Sequence, residues 1–208
     1  MKEEKDYIRD LAEIRSMMER TSKFLSLSGW AGIMAGIYAL IGAYFAYKRL
    51  YFNPDEITYT SIASGNWSIT LTNLVALALI ILVLAISTAV FLSYKKAGKR
   101  GEKIWNAASK RLLINMSVPL IVGALLSIVL IAKGLIGLIA PFTLIFYGLA
   151  LYSAGSFTYR EVRMLGLIEI GLGLICTYFI GFGLLFWALG FGLLHIVYGI
   201  YIHYKYER

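Results

Sequence analysis

Along the chain, one charged segment with a single apolar stripe gives way to six stretches that are apolar on every face. Residues Lys2 to Leu25 carry apolar side chains at Tyr7, Leu11, Ile14, Met18 and Leu25. That spacing lines one face of a helix, and Thr21 interrupts the stripe. The apolar stretches run Phe24–Tyr47, Ile69–Tyr94, Leu112–Ala132, Leu135–Phe157, Arg163–Gly183 and Leu184–Tyr204. A helix needs about 20 predominantly apolar residues to cross about 30 Å of hydrocarbon, and each stretch is near that length. The pattern predicts an all-α protein, an integral membrane bundle of six transmembrane helices over residues 26–208, behind a cytosolic amphipathic helix over residues 1–25. Cys176 to Leu194 is nearly unbroken apolar sequence, and the glycines of Gly181-Phe-Gly183 place the turn between the last two helices near residues 183 and 184.

Composition agrees with a membrane class. The chain is 59% hydrophobic and 15% charged, with a mean hydropathy of +0.72, whereas soluble domains run at about 45–50% apolar and about 25% charged. The net charge of +8 is explained by its distribution. With the N-terminus inside, seventeen basic residues fall in cytoplasmic segments and three, Lys48, Arg49 and Lys133, fall outside. Such a bias sets orientation in membrane proteins. It predicts a multi-pass protein of the cell inner (plasma) membrane with both termini cytoplasmic, and it removes the reason to invoke nucleic acid. Residues 1–26 lack the apolar core and cleavage site of a signal peptide.

Six basic and six acidic residues balance in the N-terminal segment. Lipid-adsorbed helices carry an excess of Lys and Arg, so this one is expected to pack on its own protein or on a partner, as a lead-in to the first span or as an oligomerisation helix. The loop Lys95–Arg111 holds Lys95, Lys96, Lys99, Arg100 and Lys103 near a membrane helix, a candidate contact for anionic lipid or a partner protein. Topology determination accounts for the same charges. The loop Lys48–Ser68 is too short for a folded receptor domain, and its Tyr51, Phe52, Tyr59 and Trp67 suit the headgroup level.

Small residues mark where helices approach. Ser28, Gly32 and Gly36 form one row in the first span, expected to be an internal seam, with a dimer interface as the alternative. Gly166 and Gly173 flank Glu169, and Gly192 and Gly199 flank His195. Tyr147-Gly148 recurs as Tyr198-Gly199, a hint that helices three and four are a hairpin duplicated in five and six. Pro119 and Pro141 are expected to kink helices three and four.

The glycine-rich paired-helix pattern from Gly123 through Tyr198-Gly-Ile-Tyr201, with Pro141 in mid-helix, resembles the HdeD-like bacterial membrane proteins. Arg15-Ser-Met-Met-Glu-Arg-Thr-Ser-Lys-Phe-Leu-Ser-Leu-Ser-Gly29 is similar to uncharacterised small bacterial membrane proteins. The resemblance implies a six-helix membrane fold and a role in stress response, specifically acid resistance.

Chemistry-bearing residues are few. His195 and His203 are the only histidines and Cys176 the only cysteine, so a metalloprotease helix, a cysteine metal cluster and an intramolecular disulfide have no ligand set. No nucleophile elbow or phosphate loop is present, and neither enzyme activity nor a cofactor is expected. Glu169 and His195 are the carboxylate and imidazole set within the apolar sequence of the last two spans. With the turn near residue 183, Glu169 stands level with Tyr198, and His195 lies one turn away on the same face as Tyr198. Glu169, Tyr198 and His195 are therefore expected to form one buried polar cluster on facing glycine-lined surfaces, in the cytoplasmic half of the membrane. As a helix lock, that cluster belongs to a non-enzymatic protein with a structural, stress-response or partner-binding role. As a titrating pair, it belongs to a small transporter or proton-coupled carrier.

Overall fold

The chain approaches its first described helix as an extended strap, Phe24 to Ser28. The structure, a computed structural model, describes residues 24–49, 69–99, 101 and 104–208. The N-terminal stripe over residues 1–23, most of the Lys48–Ser68 loop, Arg100 and Lys103 lie outside the described residues. The expected helix start at Phe24 is corrected by the strap's hydrogen bonds. Phe24 N–H donates to the Phe157 carbonyl at 2.7 Å, Thr158 Oγ1 to the Phe24 carbonyl at 2.7 Å, and the Tyr159 hydroxyl to the Leu25 carbonyl at 2.5 Å. Carbonyls that would open a helix are bound instead to residues 158 and 159, so the helix begins at Gly29.

Helices follow in the order α1 (Gly29–Lys48), α2 (Ile69–Lys99), α3 (Ala107–Ala132), α4 (Ile139–Ala154) and α5 (Arg160–Tyr178). The last rod comprises α6 (Gly183–Trp187), a π-helical segment (Ala188–Leu194) and α7 (His195–Tyr206). Short 3₁₀ turns, Ile136–Leu138 and Ile180–Phe182, lead into α4 and α6. Among the described residues there is no strand.

Local chemistry explains the ends of α3. Asn106 Oδ1 accepts from Ser109 N–H while Ser109 Oγ accepts from Asn106 N–H, each at 2.9 Å, a reciprocal cap on the first turn. At the other end Gly134 takes φ 74°, which lets Leu135 N–H reach the Leu130 carbonyl and Gly134 N–H the Ile131 carbonyl. Pro119 lies inside α3 as expected. Pro141 does not lie in mid-helix: it is the third residue of α4, where the ring removes no intrahelical hydrogen bond.

Five of the helical elements are long and apolar enough to cross a membrane: α1, α2, α3, the Ile136–Ala154 element and the last rod. The sixth, α5, carries Arg160, Glu161, Arg163 and Glu169. Side chains such as Ile69 and Phe91 of α2 and Ile114 and Ile128 of α3 stand exposed, a surface that suits lipid rather than water.

The helices pack as two groups. In one, α4 lies against both α3 and α5; in the other, α1 lies against both α2 and the last rod. Glycines set the closest approaches. A Cβ on Gly148 would stand 2.7 Å from the Gly166 carbonyl, and one on Gly173 2.9 Å from the Pro141 carbonyl, so α4 and α5 touch backbone to backbone. A Cβ on Gly29 would meet the Gly199 carbonyl, and one on Gly36 the Gly192 carbonyl, each at 2.5 Å. The small-residue row of α1 is thus an internal seam made by Gly29, Gly32 and Gly36, while Ser28 is the residue that precedes the helix.

This arrangement corrects two expectations. Gly166 and Gly173 do not face Gly192 and Gly199; they face α4, and the other pair faces α1. Consequently α5 and the last rod touch little, whereas α3 and α4 pack extensively. The two hairpins are therefore not copies of one packing unit.

Candidate functional site

Glu169 sits at the middle of α5, nine residues from either end, and its side chain is wholly buried. It spans the gap between α5 and the last rod. A Cβ on Gly190 would lie 2.5 Å from Glu169 Oε2 and would also press on Leu144, so a side chain at 190 displaces the carboxylate from its present position. His195 is the first residue after the π-helical segment. Its Nδ1 lies 2.9 Å from the Gly190 carbonyl and its Nε2 2.8 Å from the Tyr147 hydroxyl. A carbonyl only accepts, which assigns the Nδ1 hydrogen; in the neutral ring, Nε2 then accepts from Tyr147. Wide π turns interrupt the regular ladder and recur at functional sites. Here one sets the imidazole against the carbonyl five residues earlier.

The carboxylate is the anomalous member. Glu169 Oε1 and His195 Nδ1 are 3.5 Å apart, close enough for attraction but outside a hydrogen bond, and neither Glu169 oxygen has a hydrogen-bond partner. Buried polar groups are nearly always satisfied. An ionised carboxylate held this way is costly.

The structure brings Glu169 and His195 together but not Tyr198. Tyr198 is half-buried and packs against the apolar cluster that includes Leu165 and Ile202. The reason is the turn. Because α5 ends at Tyr178 and α6 starts at Gly183, the turn is centred some three residues earlier than the glycines indicated, and Glu169 falls level with Gly192 rather than Tyr198. The phenol in the cluster is Tyr147 of α4, which also rests on Phe191, their ring centroids 4.9 Å apart.

A second polar cluster at the other end of the rod was not foreseen. Glu207 Oε1 accepts from Gly29 N–H at 2.8 Å and from Lys96 Nζ at 2.9 Å, while Oε2 lies 2.8 Å from His203 Nδ1. Lys96 also donates to the Leu27 carbonyl at 2.5 Å. Burial by itself raises the Glu207 carboxyl, but the bonds from His203, Lys96 and Gly29 outweigh it and hold the group down at about 2. Since Ser28 makes no side-chain cap, Glu207 neutralises the positive end of α1 from the far end of the chain. Of the predicted lipid or partner contacts, Lys95 and Lys99 are exposed, whereas Lys96 belongs to this clasp. Its neighbour, the pair Lys205–Glu161 at 2.5 Å, ties α7 to α5.

An apolar cavity of about 180 Å³ lies between α1, α2, α4 and α6, lined among others by Ala43, Leu77, Ala140, Thr143, Gly183 and Trp187. Several hydroxyls and amides of the apolar helices bond back to their own helices, Asn115 to the Arg111 carbonyl, Ser127 to Gly123, Thr143 to Ala140 and Thr177 to Leu174, while the Tyr38 and Thr88 hydroxyls join α1 to α2 at 3.2 Å. Among the described residues no group of three His, Cys, Asp or Glu side chains is placed to hold a metal ion. No protein family, curated protein or solved structure matches the chain.

Proposed function

We propose that the protein is a non-enzymatic, proton-coupled membrane carrier with six spans and cytoplasmic termini, and that Glu169 is its proton-binding group. The observation that carries this reading is the Glu169 carboxylate, buried at mid-helix with both oxygens lacking a hydrogen-bond partner. A helix lock would satisfy its acceptors, because a half-satisfied polar network in low dielectric loses more than it contributes. A site that exchanges an occupant keeps its oxygens available. His195, held by Gly190 and Tyr147, faces Oε1 and fixes an imidazole beside the carboxylate.

The topology supports the same reading. Five helical elements have the length and apolarity of spans. The sixth, α5, is shielded along its glycine face by α4, and its charged residues Arg160, Glu161 and Arg163 gather at one end. That end meets the basic ends of α2 and α7 through the Lys205–Glu161 pair and the Lys96–Tyr159 contact, and basic ends face the cytoplasm. A partner-binding role rests on the N-terminal segment, outside the described residues, and on the basic loop, of which Lys95 and Lys99 stand exposed.

Solute flux in proteoliposomes, with and without an imposed pH gradient, is the test. Gradient-dependent flux that disappears in Glu169→Gln and His195→Ala is expected. Flux indifferent to the gradient, or variants that lose folded protein without any pH-dependent change, overturns the proposal.

A further inference from the structure

The cavity and the buried carboxylate lie on one seam. On α4, Ala140, Leu144 and Tyr147 follow one another along a single helical face. Ala140 lines the cavity, Leu144 approaches Gly190, and Tyr147 meets His195. On the last rod, Gly183 and Trp187 line the cavity, Gly190 touches both Leu144 and Glu169, and His195 completes the cluster. The cavity and Glu169 are thus separated by about one helical turn, roughly 5 Å, filled by the fully buried Leu144 side chain. An aromatic line runs beside it. The Trp187 ring lies 5.0 Å from Phe191, and Phe191 stacks on His195 at 6.0 Å.

The chemistry of the walls selects a ligand. Thr143 is bonded to its own helix, so among the lining side chains the polar complement reduces to the Trp187 indole N–H. Sugars, anions and other hydrophilic solutes find no partners there. An apolar body fits, because an engineered apolar cavity of about 150 Å³ holds benzene. The unpartnered group at the end of the seam is a carboxylate, which complements positive charge, and aromatic faces favour cations.

We propose that this seam binds a small lipophilic cation, an aryl- or alkylammonium, with its apolar body in the cavity and its nitrogen beside Glu169 once Leu144 turns aside. The inference rests on the reading of Glu169 as a proton site. In the exchange, the Glu169 O–H bond breaks, the proton leaves to water, and the carboxylate pairs with the arriving cation, so one proton departs for each cation bound. The titratable groups facing Glu169 are His195 from the last rod and Tyr147 from α4, and α4 carries no charged side chain.

The test uses the full-length protein in lipid nanodiscs with benzyltrimethylammonium, whose charge does not change with pH, and neopentylbenzene, its neutral isostere. Binding is read calorimetrically and proton release with a pH dye in weak buffer. Wild type is expected to bind the cation saturably and release one proton per cation. Glu169→Gln is expected to weaken the cation by more than about tenfold, abolish proton release and leave the isostere unchanged. Thr143→Leu, which fills the cavity without touching the carboxylate, is expected to weaken both. Equal binding of cation and isostere, unaffected by Glu169→Gln, overturns the proposal and leaves an apolar cavity that takes a lipid chain. If Glu169 still titrates in the empty protein but the cation releases no proton, the ligand class is wrong while the proton site stands. If Glu169 does not titrate at all, both fail.

Discussion

Glu169 Oε1 and His195 Nδ1 face each other at 3.5 Å in the interior of the bundle, and the Nδ1 hydrogen is directed to the Gly190 carbonyl instead. The imidazole is therefore fully engaged and the carboxylate is not. This asymmetry sets the cluster apart from an ion-pair lock, in which both partners are spent on each other.

Tyr147, rather than Tyr198, completes the cluster. Tyr147→Phe leaves His195 Nε2 buried without its donor and is expected to lower stability by about 1–3 kcal/mol. Tyr198→Phe is expected to stay near wild type. Thermal unfolding of the two variants in matched detergent checks this, and equal losses would return Tyr198 to the site.

Glycine seams set the closest approaches of α4 to α5 and of α1 to the last rod. A methyl at Gly36 or Gly148 would press on the carbonyls of Gly192 and Gly166. Gly36→Ala and Gly148→Ala are expected to cost about 1–3 kcal/mol each by overpacking. Gly171→Ala, where a Cβ meets nothing within 4 Å, is the matched control and should be neutral or slightly stabilising. The comparison is a thermal shift of each variant against wild type.

These seams show what the sequence makes legible. Gly32 and Gly36, with Gly166, Gly173, Gly192 and Gly199, announce close contacts by their spacing, because in lipid only small residues let backbones meet. Their partners are not announced, since spacing along one helix carries no information about which helix faces it. Glu169 and His195 stood out because charge is rare inside apolar sequence. Tyr147 did not, being one of 15 tyrosines. The π-helical segment Ala188–Leu194 is apolar and glycine-containing like its surroundings, so the shift it introduces before His195 was hidden. Glu207 lies among charged residues past the last apolar stretch, and its role as a cap for α1 depends on a contact 178 residues away.

Glu207 makes acid sensitivity predictable. Its carboxyl sits at about 2 in the folded protein against an ordinary 4.5. The stabilisation it provides is complete above the ordinary value and is lost as pH falls from there toward 2. Glu207→Gln is expected to melt below wild type at neutral pH, and the gap is expected to close on acidification across that window. A gap that stays constant would show that the clasp acts through packing alone.

Gly190→Ala probes the site without changing any ionisable group. Its Cβ would stand 2.5 Å from Glu169 Oε2, so the carboxylate must move away from the rod. Solute flux driven by a pH gradient is expected to fall while folded protein is retained, and unchanged flux would separate Glu169's position from its role.

The central claim is that Glu169 exchanges a proton, and infrared difference spectroscopy of the protein in lipid reads that directly. Stepping the pH in wild type should reversibly create and remove a carbonyl stretch from a protonated carboxyl group, and that band should be missing from Glu169→Gln. A wild-type spectrum without such a band, or one that persists unchanged in the variant, would contradict the account.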